Sequence, residues 1–245
     1  MKKVISLFAL LCVVSIHAQT AKLTYNVKKG DKYQIDLKMK QNMAPIMTMD
    51  IGMIMTTETL NVKDGKIENK SMIDRMVMDI SAQGEKVSFD SDKDDKDLTD
   101  EEKKMKAEIA PAMEMIIYQT MDMSGKVLEQ KTVPEMKQAD KFLSQNQITA
   151  MVYPKDPVKV GSTWSYTQDM SGMKMKANYT VTGITDSAVF ADITGSMEGA
   201  GEAEVDGKLE IDRSSGMPTK VNMNVSMGAS AMGITMSIEM ISKKM

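Results

Sequence analysis

The chain has 245 residues, a formal net charge of −3, and 42% hydrophobic but only 4% aromatic residues. It contains one His and one Cys, but 28 Met. Because acidic residues outnumber basic ones and the only arginines are Arg75 and Arg213, the composition argues against nucleic acid or an anionic membrane surface as a partner.

The first 18 residues have the pattern of a secretory signal peptide. Lys2 and Lys3 precede an apolar run from Val4 to Ile16, and the run is followed closely by the small residue Ala18. The run is too short to span a bilayer as a helix, so it does not predict a membrane-spanning segment. We expect cleavage after Ala18 and a secreted or periplasmic protein.

Removal of this segment would also remove the side chains that most enzyme active sites and metal sites require. The segment contains the only His, His17, and the only Cys, Cys12. Its removal leaves 29 of the 31 basic residues and all 34 acidic residues. Ser–His and Cys–His nucleophiles, imidazole zinc sites and disulfides would then be excluded. A carboxylate pair could still hydrolyse a glycoside, but one tryptophan, Trp164, offers little platform for sugar stacking. The sequence therefore predicts a non-catalytic protein without a cofactor.

Alternation of apolar and polar residues predicts antiparallel strands. In KYQIDLKMK (32–40) the Tyr, Ile, Leu and Met residues share one face, and the Lys, Gln and Asp residues share the other. The same alternation recurs in MKMKANYTV (173–181), EAEVDGKLEID (202–212) and AMGITMSIEM (231–240). One buried face and one solvated face are typical of antiparallel sheets.

Short turn signals separate these strands and predict meandering hairpins. They are Asp64-Gly65, Ser124-Gly125, Asp206-Gly207 and Ser214-Ser215-Gly216.

Two segments predict helices instead. The capping box Thr99-Asp-Glu-Glu102 predicts a helix over about 99–110 that Pro111 ends, and Pro134-Glu135 predicts a second helix that runs to about Ser144. The predicted fold class is mainly β (α+β), a curved antiparallel sheet or half-barrel with two short helices.

A weak internal repeat suggests how the chain is divided. VKKGDKY (27–33) recurs as VKVGSTW (158–164), each with a glycine turn before a strand that starts with an aromatic residue. We therefore expect an N-terminal β sub-sheet with the acidic loop and a helix over 19–133, and a helix with a C-terminal β meander over 134–245. One continuous domain over 19–245 is the alternative.

Three motifs carry a resemblance to a known family: Gly30-Asp31-Lys32-Tyr33, the block PVKVGSTW (157–164) and the turn Gly216-Met217-Pro218. With them the sequence resembles an uncharacterised family of secreted, β-rich proteins of Bacteroidota-type bacteria, known as a domain of unknown function. At the level of fold it also resembles the half-barrel of periplasmic lipoprotein carriers, a curved sheet with helices at its mouth that binds acyl chains. The second resemblance implies a hydrophobic ligand.

The acidic run DSDKDDKDLTDE partly matches a calcium loop. Position 6 of the EF-hand pattern, which requires Gly, is Asp95, and a strand precedes the run where a helix is needed. The sequence therefore favours a solvated loop that leads into the first helix. The acidic residues at positions 1, 3, 5 and 12 are Asp90, Asp92, Asp94 and Glu101.

The methionines allow several interpretations. Thioether sulfur is a soft ligand for Cu(I), so one alternative is a copper-binding or redox-buffering envelope protein. Its candidate ligands are Met47, Met49, Met53 and Met55. However, spacing of two residues on a strand also repeats one face, and the Met positions coincide with aliphatic positions in the clearest strands. A core or a lined apolar cavity explains this coincidence.

A Met-lined cavity differs from an ordinary core in its plasticity. Ordering a buried Met costs up to ~2 kcal/mol of side-chain entropy against ~0.5–1 kcal/mol for Leu, and flexible thioethers suit adaptable binding surfaces. We therefore expect a hydrophobic, lipid-like small molecule as the ligand, with a purely structural envelope component as a further alternative. The candidate binding residues are Met173, Met175, Met223, Met227, Met232, Met236 and Met240.

Overall fold

The computed structural model describes residues 19–43, 45–135, 151–170, 173–198, 203–228 and 233–245. Strands account for 63% of these residues and form one open antiparallel sheet, which confirms the mainly β prediction. The strands are β1 (Lys32–Met43), β2 (Met47–Lys63), β3 (Lys66–Ala82), β4 (Glu85–Asp90), β5 (Ile116–Asp122), β6 (Val127–Val133), β7 (Thr163–Met170), β8 (Met173–Ile184), β9 (Ala188–Glu198), β10 (Ala203–Asp212), β11 (Pro218–Met227) and β12 (Thr235–Lys244).

The sheet consists of two meanders that meet at its centre. The strand order is β6-β5-β3-β2-β1-β12-β11-β10-β9-β8-β7, and β4 pairs with β3 outside this path. The first six strands therefore run from the centre of the sheet to the β6 edge. The chain then crosses to the opposite edge at β7, and strands β7 to β12 lead back to the centre. The β1–β12 pairing places both predicted sub-sheets in one hydrogen-bonded sheet, and their division into domains stays a prediction.

The turn signals are correct with one exception. Asp64 and Gly65 both have positive φ (52° and 73°) in the two-residue turn between β2 and β3, as a type I′ hairpin requires. The predicted turn at Asp206-Gly207 is wrong, because both residues lie inside β10. A Cβ atom on Gly207 would lie 2.3 Å from the carbonyl oxygen of Asn222, so this glycine permits close approach of β11 rather than a turn.

Within the described residues there is one α-helix, α1 (Asp100–Met113), preceded by a 3₁₀ turn over Asp95–Asp97. The capping box is present: the Glu102 N–H donates to the Thr99 hydroxyl, and the Thr99 N–H donates to the Glu102 carboxylate. The predicted helix end at about residue 110 is wrong by three residues, because Pro111 lies inside the helix and the chain stays helical to Met113.

Pro134 and Glu135 are not helical, and the rest of the predicted second helix lies outside the described residues. In the part of the chain that the structure describes, no helix combines the length and the apolar character needed to cross a membrane.

Two extended segments cover the inner face of the sheet. We call residues 19–29 the N-terminal strap and residues 151–160 the return strap. They bond to each other through Ala21 and Val158, and their apolar side chains join the main core between the straps and the strands. A smaller cluster of Met53, Ile73 and Met76 lies beneath α1.

The N-terminal strap shows that the sheet is strongly curled at one end. The Tyr25 N–H donates to the Met123 carbonyl (2.9 Å) in the β5–β6 turn, and the next N–H, of Asn26, donates to the Ser215 carbonyl (2.7 Å) in the β10–β11 turn. In a flat sheet, five strand spacings between β5 and β11 would separate these turns by roughly 24 Å. Consecutive strap residues reach both turns, so the strands must curve towards each other here.

Candidate ligand-binding site

A cavity of about 190 Å³ lies at the curled end of the sheet, partly open to solvent. Its walls come from the inner faces of strands β6, β5, β3, β2, β1 and β12, from both straps, and from the β10–β11 connection. Apolar atoms form most of its surface. Five methionines contribute to the lining: Met55, Met121, Met151, Met217 and Met240.

Two stacked tyrosines hold the straps over the sheet. The rings of Tyr25 and Tyr153 are 5.1 Å apart and only 6% and 3% of the two residues is exposed. The Tyr153 hydroxyl donates to the Gly216 carbonyl (2.7 Å), and the Tyr25 hydroxyl donates weakly to the Met151 carbonyl (3.4 Å). Burial raises the pKa of both phenols well above the ordinary value.

Two turn glycines let the straps approach this closely. Gly125 and Gly216 have φ of 92° and 68°, a region that side chains disfavour. A Cβ atom on Gly125 would lie 2.1 Å from the Met151 carbonyl oxygen, and one on Gly216 would lie 1.9 Å from the Thr24 carbonyl oxygen. Both turns therefore require glycine for conformation and for contact with a strap.

Polar side chains cross the otherwise apolar cavity lining. Thr57 and Ser71 form a cross-strand hydrogen bond (2.9 Å), and the Thr59 hydroxyl donates to the Asn69 side chain (3.1 Å). The register continues this second row through Gln119 on β5 to Gln130 on β6. These inward amides and hydroxyls give the cavity a hydrogen-bonding side, as small-molecule sites commonly have.

Two further hydroxyl groups in the lining are buried without a hydrogen-bond partner among the described residues: those of Tyr33 and Ser242. Tyr33 is 4% exposed and Ser242 is 6% exposed. Burial raises the pKa of the Tyr33 phenol, and the charge of Lys244 offsets part of this shift. The Ser215 side chain lies nearby and has a smaller effect in the same direction as Lys244, but it does not form a hydrogen bond with the Tyr33 hydroxyl.

None of the described residues that line the cavity is charged. Lys244 and Asp31 form an ion pair close to Tyr33, and their Nζ and Oδ1 atoms are 2.7 Å apart. Lys244 also lies over the Tyr33 ring, 6.0 Å from its centroid. The hydrogen bond from Lys244 lowers the pKa of Asp31, so the two charges compensate each other beside the cavity.

The structure brings one of the seven methionines proposed for ligand binding, Met240, into this cavity. Met175 and Met223 are buried in the main core, and Met227 and Met236 are half-buried against it. Met173 lies on β8 in register with Met170, and Met232 lies outside the described residues.

The four methionines of the copper hypothesis do not converge. All lie on β2, and Met47 and Met55 are eight residues apart on this strand, a distance of roughly 27 Å. Met53 is buried in the cluster beneath α1, Met55 lines the cavity, and Met49 is half-buried. One Cu(I) ion cannot be bound by all four, so the arrangement does not support this alternative.

Three of the four candidate carboxylates of the acidic run, those of Asp90, Asp92 and Asp94, are paired with cations. Asp90 accepts two hydrogen bonds from Arg75 (2.6 and 3.1 Å), which lower the pKa of this carboxyl group. Asp92 lies 3.3 Å from Arg75, and Asp94 lies 3.2 Å from Lys96. Over the described ranges, no group of three or more His, Cys, Asp or Glu residues is arranged to hold a metal ion.

The residues that close the cavity were not identified from the sequence. They are mainly Tyr25, Met151 and Met217. One signal was available, the alternation of Ala21, Leu23, Tyr25 and Val27, but it predicts a strand and does not indicate what it covers. The aromatic and methionine residues of the straps reach the site only through contacts distant in sequence.

Comparison with known proteins identifies a fold but no established activity. Residues 130–238, from β6 to β12, match the model of a family of unknown function (DUF6263). This stretch is less than half of the chain; it contains the block 157–164 and the Gly216-Met217-Pro218 turn, but not Gly30-Asp31-Lys32-Tyr33. No curated protein matches significantly.

The chain is similar to a solved structure of lipovitellin, with a TM-score of 0.55 and 8% sequence identity. That structure concerns lipid–protein interactions in lipovitellin. The similarity covers 89% of this chain but only 25% of the lipovitellin chain. The similarity shows that the two proteins share a large β-sheet fold. Because the sequence identity is so low, it does not show that individual residues of the two proteins correspond.

Proposed function

We propose that the protein binds a small hydrophobic, lipid-like ligand in the cavity at the curled end of the sheet, without catalysing a reaction. The observation that carries this proposal is the mostly apolar cavity of about 190 Å³ beside the main core of buried apolar residues. The fold similarity to lipovitellin, a protein studied for its lipid interactions, supports the same ligand class.

The cavity has a suitable size and lining. An engineered cavity of about 150 Å³ lined by aliphatic side chains binds benzene, so about 190 Å³ suits a ligand of roughly six to ten non-hydrogen atoms or the end of a longer chain. The five lining methionines make the wall adaptable, because unbranched thioethers can change rotamer to follow the ligand.

The chemistry of the lining favours binding over catalysis. Among the described residues that line the cavity, the polar groups are hydroxyls and amides, and none is a carboxylate, ammonium or imidazole group that could transfer a proton at neutral pH. The signal-like first 18 residues support export of such a binding protein to the periplasm or the exterior of the cell.

A pair of tryptophan substitutions tests the site. Val127 lines the cavity from the edge strand β6, whereas the next residue, Leu128, is not among the lining residues and is 48% exposed. The neutral fluorescent probe N-phenyl-1-naphthylamine is larger than the cavity, so we expect one of its ring systems to enter while the rest stays at the opening. We expect V127W to fill the cavity and weaken binding of this probe at least tenfold. The L128W variant should bind as the unmodified protein does, with micromolar affinity, in a fluorescence titration.

Thermal unfolding of both variants separates a blocked cavity from an unfolded protein. If the unmodified protein does not bind the probe, or if a folded V127W variant binds it with unchanged affinity, the proposal is wrong. The sheet would then serve a structural role.

A further inference from the structure

We infer that the ligand carries an uncharged hydrogen-bonding group, such as a hydroxyl or a carbonyl, and that this group contacts the hydroxyls of Ser242 and Tyr33. This inference rests on the proposed function and specifies the class of ligand.

The argument starts from the two unpartnered hydroxyls. A buried polar group without a hydrogen bond is destabilising, and native proteins contain few of them. The other hydroxyl groups of Thr57, Thr59 and Ser71 in the lining are bonded to each other or to Asn69. Ser242 and Tyr33, each more than nine-tenths buried and in contact with the cavity, therefore present hydrogen-bonding capacity that the described protein atoms leave unused.

Both groups lie on one side of the cavity. Tyr33 and Ser242 occupy inward positions on the paired strands β1 and β12, where Tyr33 is opposite Lys244 and Ser242 is opposite Ile35. They are thus diagonal neighbours, whose Cα atoms are about 7–8 Å apart in such a pairing. Strands β5 and β6 contribute the apolar residues Met121 and Val127 to the lining, beside the amides of Gln119 and Gln130. A ligand with one polar end and one apolar end can therefore contact Tyr33 and Ser242 with the first and these apolar residues with the second.

Because none of the described lining residues is charged, we expect the polar group of the ligand to be uncharged. A carboxylate, phosphate or ammonium group would lose its hydration in the cavity without meeting an opposite charge. Lys244 does not line the cavity, and its Nζ atom lies 2.7 Å from Oδ1 of Asp31, with which it forms an ion pair. An uncharged hydroxyl or carbonyl avoids this cost and still satisfies the buried hydroxyls.

A matched series of six-carbon ligands tests the inference. Displacement of N-phenyl-1-naphthylamine is measured at pH 8 with 1-hexanol, hexanoate, hexylammonium and 1-chlorohexane. We expect 1-hexanol to act at a concentration at least tenfold lower than either charged ligand. It should also act at a concentration about fivefold lower than 1-chlorohexane, which corresponds to one net hydrogen bond of ordinary strength.

Two substitutions then assign the polar contact. In S242A and Y33F, we expect the preference for 1-hexanol over 1-chlorohexane to fall, and in the double variant to disappear. Ser237 and Tyr118 provide matched controls on the outer face: S237A and Y118F should keep the full preference. S242A should be at least as stable as the unmodified protein, because it removes an unpaired buried hydroxyl.

The outcomes separate the two claims. If hexanoate or hexylammonium binds as well as 1-hexanol, or if the double variant keeps the preference for 1-hexanol, this inference is wrong while the hydrophobic binding function stands. If none of the four ligands displaces the probe, and V127W leaves probe binding unchanged, both the inference and the proposed function fail.

Discussion

Replacement of Gly216 by Ala is expected to lower the free energy of unfolding by roughly 3 kcal/mol or more. Part of this loss, about 1–2 kcal/mol, is the cost of a side chain at φ 68°. The remainder arises because the new Cβ atom would lie 1.9 Å from the Thr24 carbonyl oxygen. The N-terminal strap must then move away, which exposes Tyr25 and breaks its contact with Tyr153.

Gly161 provides a matched control for this prediction. It has φ of 85°, but a Cβ atom there would meet no atom within 4 Å, so G161A should cost only the conformational part. Urea denaturation of both variants measures the difference. Equal destabilisation by the two substitutions would show that the strap does not depend on its approach to Gly216.

Stability is expected to fall steeply between pH 10 and pH 12, because three buried tyrosines resist ionisation. Burial raises the pKa of Tyr179 to about 12, and burial also raises the pKa of Tyr25 and of Tyr153 well above the ordinary value of 10. A phenol with a raised pKa in the folded state stabilises the fold fully below pH 10, where both states bind the proton. Above pH 10 the unfolded state releases its proton first, so stability declines.

The expected loss is large because the three phenols act in the same direction. Each contributes about 1.4 kcal/mol by pH 11, which is the value of one pKa unit, so the sum is about 4 kcal/mol. Denaturant unfolding at pH 8, 10 and 11 measures it, and Y179F should reduce the loss by about one third. A free energy of unfolding that is constant from pH 8 to pH 11 would contradict the burial of these phenols.

The parts of the fold that depend on local patterns could be predicted from the sequence. Alternation identified the faces of β1 and β12, since its period of two residues is the geometry of a strand. Asp64-Gly65 marked a hairpin and Thr99-Glu102 marked a helix start, because each motif satisfies backbone requirements within four residues. Asp206-Gly207 failed as a turn because Gly207 is required by contact with Asn222 on the neighbouring strand, which local sequence does not reveal.

The position of the cavity could not be predicted in the same way. Alternation indicates which face of a strand is inward, but not which end of that face stays unfilled. The cavity is closed by contacts between residues far apart in the chain, such as Tyr25 with Met151, 126 residues away. Consequently, Met175 and Met240 satisfy the same pattern, although the first is packed in the core and the second lines the cavity.

The most direct test of the binding site is the methyl NMR spectrum of the protein labelled at its methionine methyl groups. The cavity is lined by Met55, Met121, Met151, Met217 and Met240, while Met53, Met76, Met175 and Met223 are buried but do not line it. Titration with 1-hexanol should shift the first group of signals in a saturable manner and leave the second group almost unchanged. Shifts confined to the second group, or no saturable shift at any methionine, would contradict a ligand site at the curled end of the sheet.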